Sequence, residues 1–175
     1  MRGIMKHCLF VLTVLLTAGT SQADDKSSPP CLSDRNFSAF DFWVGEWTVT
    51  DRSSGRVAGT NRIMKVQGGC ALSEDWNGKS GGTGMSVNYY NPVTGKWRQV
   101  WVAAGNYAID IEGGLIKGSM VLEGWIYDYR SGEKSPFKGT WTPNEDGSVR
   151  QYFQQYNSES KAWDGWFDGL YVKKS

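Results

Sequence analysis

Histidine is almost absent from this sequence. The chain of 175 residues contains one, His7, in a segment that we interpret below as a signal peptide. A processed chain without histidine has no Ser-His-Asp or Cys-His catalytic group, no histidine-ligated haem and no zinc site built on histidine. We therefore expect neither a metal nor a cofactor.

The chain also lacks a strong charge of one sign and a long apolar run. Its formal net charge is +1, without the basic surplus typical of nucleic-acid binding. The run CLFVLTVLLTAG has 12 residues, too few to span a membrane. It follows the positive segment MRGIMKH and precedes SQA, a small-x-small cleavage site, which predicts a signal peptide at 1–23. We expect an exported protein, periplasmic or extracellular, with no nucleic-acid partner and no membrane span.

Cysteine is scarce, with three in the chain, and Cys8 would leave with the signal peptide. Cys31 and Cys70 remain. Two cysteines in an exported protein usually pair, because the compartment is oxidising. We predict a Cys31–Cys70 disulfide that fastens the N-terminal segment to the turn between the second and third strands.

Beyond Gly45, no segment has a sustained helical period of apolar residues. Short apolar or alternating runs instead follow one another, separated by turns rich in Gly, Pro, Asn and Ser. These runs predict ten strands: EWTVTD, VAGTNRIMKV, CALSEDWNG, TGMSVNYY, KWRQVWVAA, YAIDIE, GSMVLEGWIYDYR, FKGTWTP, SVRQYFQQY and AWDGWFDGLYVKK. Closure would remove both edges of such a meander. We predict an all-β fold, an antiparallel up-and-down β-barrel, as a single domain over 37–175 that follows a polar leader at 24–36.

The stretch FDFWVGEWTVTD, residues 40–51, begins the predicted domain. Its first half crowds apolar residues without alternation, and its second half alternates cleanly. We interpret Phe40, Phe42 and Trp43 as a short N-terminal plug that caps one end of the barrel. Gly45 would allow the sharp entry into the first strand, and Trp47 would pack inside the closed end.

Several motifs together resemble a bacterial family of small exported proteins that is catalogued as domain of unknown function 1579. The resemblance covers residues 37–174 and rests on FDFWVGEWTVTD, GTNRIMKVQGGCALSEDW, NYYNPVTGKWRQVWV, GTWTPNEDGSVRQYFQQ and WFDGLYVKK, in this order. It implies a calycin-like β-barrel. The family has no established activity. The nitrobindin-type haem barrels are similar in strand count and in the Gly-x-Trp entry, but their haem-binding histidine has no counterpart here.

Alternate residues of a barrel strand face inward. In KWRQVWV we expect Trp97, Gln99 and Trp101 to face the interior, two apolar walls with one amide between them, which suits an amphipathic ligand. A buried ion pair of Glu74 with Arg62 or Arg150 in the cavity could orient a polar group of such a ligand, although a surface salt bridge or a structural network is also open. The predicted ligand-binding residues are Arg62, Glu74, Trp76, Trp97, Gln99, Trp101 and Arg150.

Three functions stay open at this point. The first is a lipocalin-like monomer that binds a small apolar or amphipathic molecule in its interior, and we favour it. The second is a small enzyme without histidine, an isomerase, cyclase or hydrolase. The third is a carbohydrate-binding module, since the chain has nine tryptophans and eight tyrosines. Candidate acids, bases and proton donors for the enzyme are Glu74, Asp110, Glu123, Asp168, Tyr90 and Tyr129.

Overall fold

The structure is a computed structural model that describes residues 29–174. The predicted signal peptide at 1–23 and the first part of the leader lie outside these residues. Within the described range, no helix is long and apolar enough to cross a membrane.

Ten strands form one closed antiparallel barrel, which confirms the predicted fold class. Each strand pairs with its neighbours in the chain, and β1 pairs with β10 to close the sheet, so no strand edge is left free. The strands are β1 (Gly45–Asp51), β2 (Val57–Val66), β3 (Ala71–Gly78), β4 (Thr83–Asn91), β5 (Lys96–Ala103), β6 (Tyr107–Ile116), β7 (Ser119–Asp128), β8 (Lys134–Pro143), β9 (Val149–Asn157) and β10 (Ala162–Lys173).

The hairpin between β6 and β7 is longer than the sequence pattern predicts. GGLIK was expected to be the turn, but β6 continues through it and pairs as far as Ile116 with Ser119. The turn is only Lys117–Gly118, and both residues have positive φ angles of 51° and 84°. A two-residue turn in which both residues have positive φ angles matches the twist of the paired strands. The hairpin therefore closes without a longer loop. The two glycines that suggested a turn, Gly113 and Gly114, therefore lie inside a strand.

The N-terminal segment is a plug, as predicted. It consists of a short helix, α1 (Pro30–Ser33), and two 3₁₀ turns, Arg35–Ser38 and Asp41–Trp43. Ordered structure thus begins before residue 37. Phe40 and Trp43 are fully buried, and Gly45 enters β1 with a φ of 149°, in a region that favours glycine.

Besides an ion pair of 2.6 Å between Lys65 Nζ on β2 and Asp41 Oδ2 of the plug, a disulfide and a hydrogen bond hold the plug in the barrel. The predicted disulfide joins Cys31 in α1 to Cys70 beside β3, with the Cα atoms 4.8 Å apart. The indole N–H of Trp97 in β5 donates a hydrogen bond to the Asn36 carbonyl oxygen at 3.0 Å. The plug is therefore attached to two separate parts of the barrel wall.

Aromatic rings pack together at the plugged end. The Phe40 ring packs against Trp43, Trp141 and Trp97, with ring centroids 5.0, 5.2 and 5.7 Å apart. Trp47 is buried beside them, and its Nε1 donates to the Trp43 carbonyl oxygen. We call this cluster of Phe40, Trp43, Trp97 and Trp141 the floor. It is core packing and leaves space for a ligand only further along the barrel.

Candidate functional site

The inward side chains of β3 and β5 run from the floor to the open end of the barrel. On β5 they are Trp97, Gln99 and Trp101, so the face expected to be interior is interior. On β3, Glu74 and Trp76 follow the buried Leu72 in the same direction. The interior therefore has three layers: the floor, a polar layer at the level of Glu74 and Gln99, and an aromatic layer above it.

Glu74 lies at the centre of the polar layer and is only 4% exposed. Its Oε1 accepts a hydrogen bond from Asn61 Nδ2 on β2 at 2.7 Å, and its Oε2 accepts one from Ser86 Oγ on β4 at 2.6 Å. Gln99 Nε2 on β5 makes a longer contact of 3.4 Å with Oε2. Four neighbouring strands thus position one carboxyl group.

The polar layer continues to both sides of Glu74. On one side, Asn88 Nδ2 donates to Ser86 Oγ at 2.8 Å, and Gln99 Nε2 donates to Asn88 Oδ1 at 2.9 Å. On the other side, the Tyr171 hydroxyl accepts from Asn61 Nδ2 at 3.2 Å and donates to Gln151 Oε1. The layer is a connected network of amides and hydroxyls in which Glu74 is the acid.

No basic side chain neutralises Glu74 within the described range. None of the ion pairs found between residues 29 and 174 involves Glu74: six lie on the outer surface, and the seventh joins Lys65, at the plugged end of β2, to Asp41 of the plug. Burial raises the pKa of Glu74 to about 7, against hydrogen bonds from Ser86 and Asn61 that lower it. Burial also raises the pKa of the Tyr107 and Tyr171 phenols, and the charge of Glu74 raises both further.

A cavity of about 180 Å³ lies above the polar layer and reaches down to Glu74. Most of its wall is aromatic. Neighbouring rings follow one another around it, with Tyr107 5.4 Å from Trp166 and Trp76 6.4 Å from Phe167, centroid to centroid. The residues that line it are Glu74, Trp76, Trp101, Tyr107, Ile109, Gln151, Phe153, Trp166, Phe167 and Tyr171.

Glycines on the neighbouring strands fix the position of two wall tryptophans. A Cβ atom at Gly59 on β2 would lie 2.8 Å from Trp76 Cζ2, and one at Gly84 on β4 would lie 2.7 Å from Trp101 Cη2. Real Cβ atoms do not approach a ring so closely, so each indole occupies space that only a glycine leaves free. This packing brings the rings close to the wall and leaves the centre of the barrel open.

Both predicted ligand-binding arginines lie on the outside of the barrel, and the expected buried ion pair with Glu74 is wrong. Arg62 Nη2 lies 3.7 Å from Asp75 Oδ2, and Arg150 makes two hydrogen bonds of 2.8 and 2.9 Å to Asp168. Strand alternation explains the error. The inward neighbours of these arginines in the chain, Asn61 and Gln151, face the interior instead.

The other predicted binding residues divide between the layers. Glu74, Trp76 and Trp101 line the cavity. Gln99 belongs to the polar layer beside Glu74 and is buried there. Trp97 belongs to the floor, where it contacts Phe40 and the plug.

Of the candidate acids and proton donors, only Glu74 contributes to the cavity. Asp110, Glu123 and Asp168 lie on the outer surface in ion pairs with Arg98, Lys138 and Arg150. Tyr129 is 56% exposed beyond the end of β7, and Tyr90 packs against Phe37 and Trp97 near the floor. No group of three or more His, Cys, Asp or Glu side chains in the part of the chain that the structure describes is arranged to hold a metal ion.

Sequence reasoning missed seven of the ten residues that line the cavity. Gln151 and Phe153 share one face of β9, and the alternation alone could have placed them together. Trp166 and Phe167 could not be found this way, because they are consecutive and both line the cavity. The register of β10 against β9 shifts between Gly165 and Phe167, and such a bulge changes which side chains face inward.

No protein-family model matches the chain, and no curated protein matches it.

Proposed function

We propose that this protein is an exported, lipocalin-like barrel that holds one small apolar or amphipathic molecule in the cavity above Glu74. The observation that supports the proposal is the cavity itself, an aromatic space of about 180 Å³ with a hydrogen-bonding group at its base. A mostly apolar pocket with few convergent polar groups is the usual form of a small-molecule site. Engineered cavities of about 150 Å³ already admit benzene, so this one suits a single-ring compound.

Export is supported by the disulfide between Cys31 and Cys70, since such bonds persist in oxidising compartments. The N-terminal sequence pattern of 1–23 supports it further. Membership in the family catalogued as domain of unknown function 1579 stays a proposal that rests on the motifs quoted above.

Binding fits the interior better than catalysis by paired carboxylates does. General acid-base hydrolysis of a glycoside needs two acids that flank the substrate. The cavity offers one, Glu74, because the other candidate carboxylates of the described chain lie outside the barrel. A sugar-binding module would need its aromatic rings on an open face, whereas most rings of this cavity lie in the interior of the barrel.

Substitution at Gly84 tests the proposal. The Gly84→Ala variant should push the Trp101 indole away from its place over β4 and change the cavity wall, because the new methyl group overlaps the ring. Gly82→Ala is the matched control, since a Cβ at Gly82 meets no atom within 4 Å. We expect toluene to bind wild type and Gly82→Ala at one molecule per chain, and Gly84→Ala about tenfold more weakly.

The measurement is titration calorimetry together with native mass spectrometry of protein from its own source. Equal affinity of toluene for all three proteins would place its binding elsewhere. Binding of soluble glycans instead of toluene would favour the sugar-binding module.

A further inference from the structure

We propose that the natural occupant of this cavity is a small organic cation, an amine or substituted ammonium on an apolar or single-ring body, whose charged nitrogen pairs with Glu74. This inference rests on the proposed function, because it takes the cavity to be the binding site. Hydrogen-bond inventory, charge and the aromatic wall each support it.

The polar layer has unused acceptors. A carboxylate offers about four acceptor positions, whereas Glu74 makes two short hydrogen bonds and one long one. Asn61 Oδ1 and Gln99 Oε1 are buried and have no partner. The indole N–H of Trp101 at the cavity is neutral and lies beside the Tyr107 hydroxyl. Asn61 and Gln99 do not line the cavity, whereas Glu74 does. Buried polar groups usually have partners, so a ligand that brings an N–H donor to Glu74 uses its free acceptor positions, while a ligand carboxylate would add further acceptors.

Charge points the same way. A buried carboxylate is costly unless a positive group pairs with it. The cavity wall contains no Lys or Arg, and Glu74 is absent from every ion pair among residues 29–174. A cationic ligand would supply the missing charge, whereas an anionic ligand would meet the carboxylate without any compensation.

The wall above Glu74 suits a cation as well as an apolar body. Trp76, Trp101 and Trp166 contribute indole rings, and Tyr107 contributes a phenol. Faces of aromatic rings attract ammonium groups, tryptophan most strongly, and more so where water is excluded. One end of an amine would therefore contact Glu74, and its apolar body would fill the space between the rings.

The protonation state of Glu74 makes the pairing depend on pH. The titratable groups that face it are the phenols of Tyr107 on β6 and Tyr171 on β10, both with a raised pKa. The side chains that face it from β2, β4 and β5 are Asn61, Ser86 and Gln99, none of which titrates. Burial holds the pKa of Glu74 at about 7. An amine should consequently bind most tightly above pH 7, where the carboxyl is ionised.

Three probes of one shape test the inference: 2-phenylethylamine, 2-phenylethanol and phenylacetate, which are a cation, a neutral molecule and an anion. In titration calorimetry at pH 8 we expect the amine to bind at least about tenfold more tightly than the alcohol, and phenylacetate to bind most weakly. Glu74→Gln should abolish the preference for the amine. Glu112→Gln, which changes an outer carboxylate paired with Lys96, should retain it.

The wild-type protein provides a test that does not depend on the folding of a variant. Between pH 8 and pH 5 the affinity for 2-phenylethylamine should fall by at least about tenfold, because binding must then displace the proton of Glu74. The affinity for 2-phenylethanol should stay constant.

An alcohol that binds as tightly as the amine, or an amine affinity that is independent of pH, would overturn the inference and leave the binding function standing. If none of the three probes nor toluene binds, both the inference and the proposed function are wrong.

Discussion

At the scale of single residues, Glu74 has an environment that no other carboxyl described here shares. The outer carboxylates are exposed or have a basic partner. Partial burial raises the pKa of Asp168, for example, but the combined effects of Arg150 and Arg52 outweigh it and lower that pKa. Glu74 is buried and has only neutral hydrogen-bond donors, from Asn61, Ser86 and Gln99. Folding therefore favours the protonated form of Glu74 over its ionised form.

We expect the stability of the protein to decrease as the pH rises through 7, because of Glu74. The pKa rises from the model-compound value of 4.5 in the unfolded chain to about 7 in the folded chain. The folded state therefore binds the proton more tightly, and this stabilisation is full below pH 4.5 and lost above pH 7. Between pH 5 and pH 8 the loss amounts to about 2–3 kcal/mol of unfolding free energy.

Urea unfolding of wild type and Glu74→Gln at both pH values measures this loss. The difference in unfolding free energy between wild type and Glu74→Gln should change by about 2–3 kcal/mol between pH 5 and pH 8. The variant should gain relative to wild type at pH 8. Glu112→Gln should follow wild type, since its carboxylate is outside. The lowered pKa values of the surface aspartates act at more acidic pH and do not interfere. Parallel curves for all three proteins would show that Glu74 titrates as an exposed carboxyl does.

At the scale of elements, the sequence predicts strands better than it predicts side-chain direction. Ten strands were recognisable because short turns with Gly, Pro, Asn or Ser separate them, and β2 was bounded correctly at Val57 and Val66. The side chains that face inward could be predicted wherever alternation was strict, as for Trp97, Gln99 and Trp101 on β5. The pattern could not show which side chains of β2 face inward, because Arg62 and Met64 both lie on its outer face. The apolar Met64 thus breaks the rule that apolar residues face inward.

Two further features depend on pairing between strands, which no single segment contains. The bulge in β10 brings Trp166 and Phe167 to the same cavity, and the two-residue turn at Lys117–Gly118 extends the β6–β7 hairpin. The polar layer is a third example, since its members come from separate strands and become a network only when the barrel closes. Only half of the floor was predicted: Phe40 and Trp43 are close together in the sequence, whereas Trp97 was expected in the cavity wall and Trp141 was not singled out.

The disulfide acts at this same scale, because it attaches α1 to the start of β3. Its loop spans 39 residues, and closing a loop of this length stabilises the folded state by about 4 kcal/mol in the chain-entropy model. We expect the Cys31→Ser, Cys70→Ser double variant to lose stability of that order in urea unfolding. Wild type in the presence of a reductant should approach the same value once its thiols are free.

Toluene binding should survive in this double variant where it remains folded, because neither cysteine contacts the cavity. A loss of less than about 1 kcal/mol would mean that the unfolded chain is already compact around this loop.

At the scale of the whole molecule, we expect the two ends of the barrel to have different roles, stability at the floor and binding at the cavity. The floor is a dry aromatic cluster closed by the plug, and its rings make the core contacts. The cavity end has equally large rings, but they surround a space. The polar layer of Glu74 separates the two. Stability and binding are therefore expected to reside in different residues, although both use tryptophan and phenylalanine.

One substitution at each end tests this separation. Phe40 is fully buried and contacts Trp43, Trp97 and Trp141, none of which lines the cavity. Phe40→Leu should cost about 1–3 kcal/mol of unfolding free energy and leave the affinity for toluene unchanged. Trp101→Ala should weaken toluene binding by at least about tenfold, because it removes a wall of the cavity. It should also cost up to about 3–5 kcal/mol, and less to the extent that the ring is already accessible.

The double variant makes the argument quantitative. Phe40 and Trp101 share no contact among the aromatic pairs of the described chain, and the effects of sites without shared partners add within about 0.5 kcal/mol. We therefore expect the unfolding free energies of the two single variants to sum in the double variant, and its toluene affinity to equal that of Trp101→Ala. A coupling well above this limit, or a loss of toluene affinity in Phe40→Leu, would mean that the polar layer transmits packing changes from floor to cavity and that the two ends act as one unit.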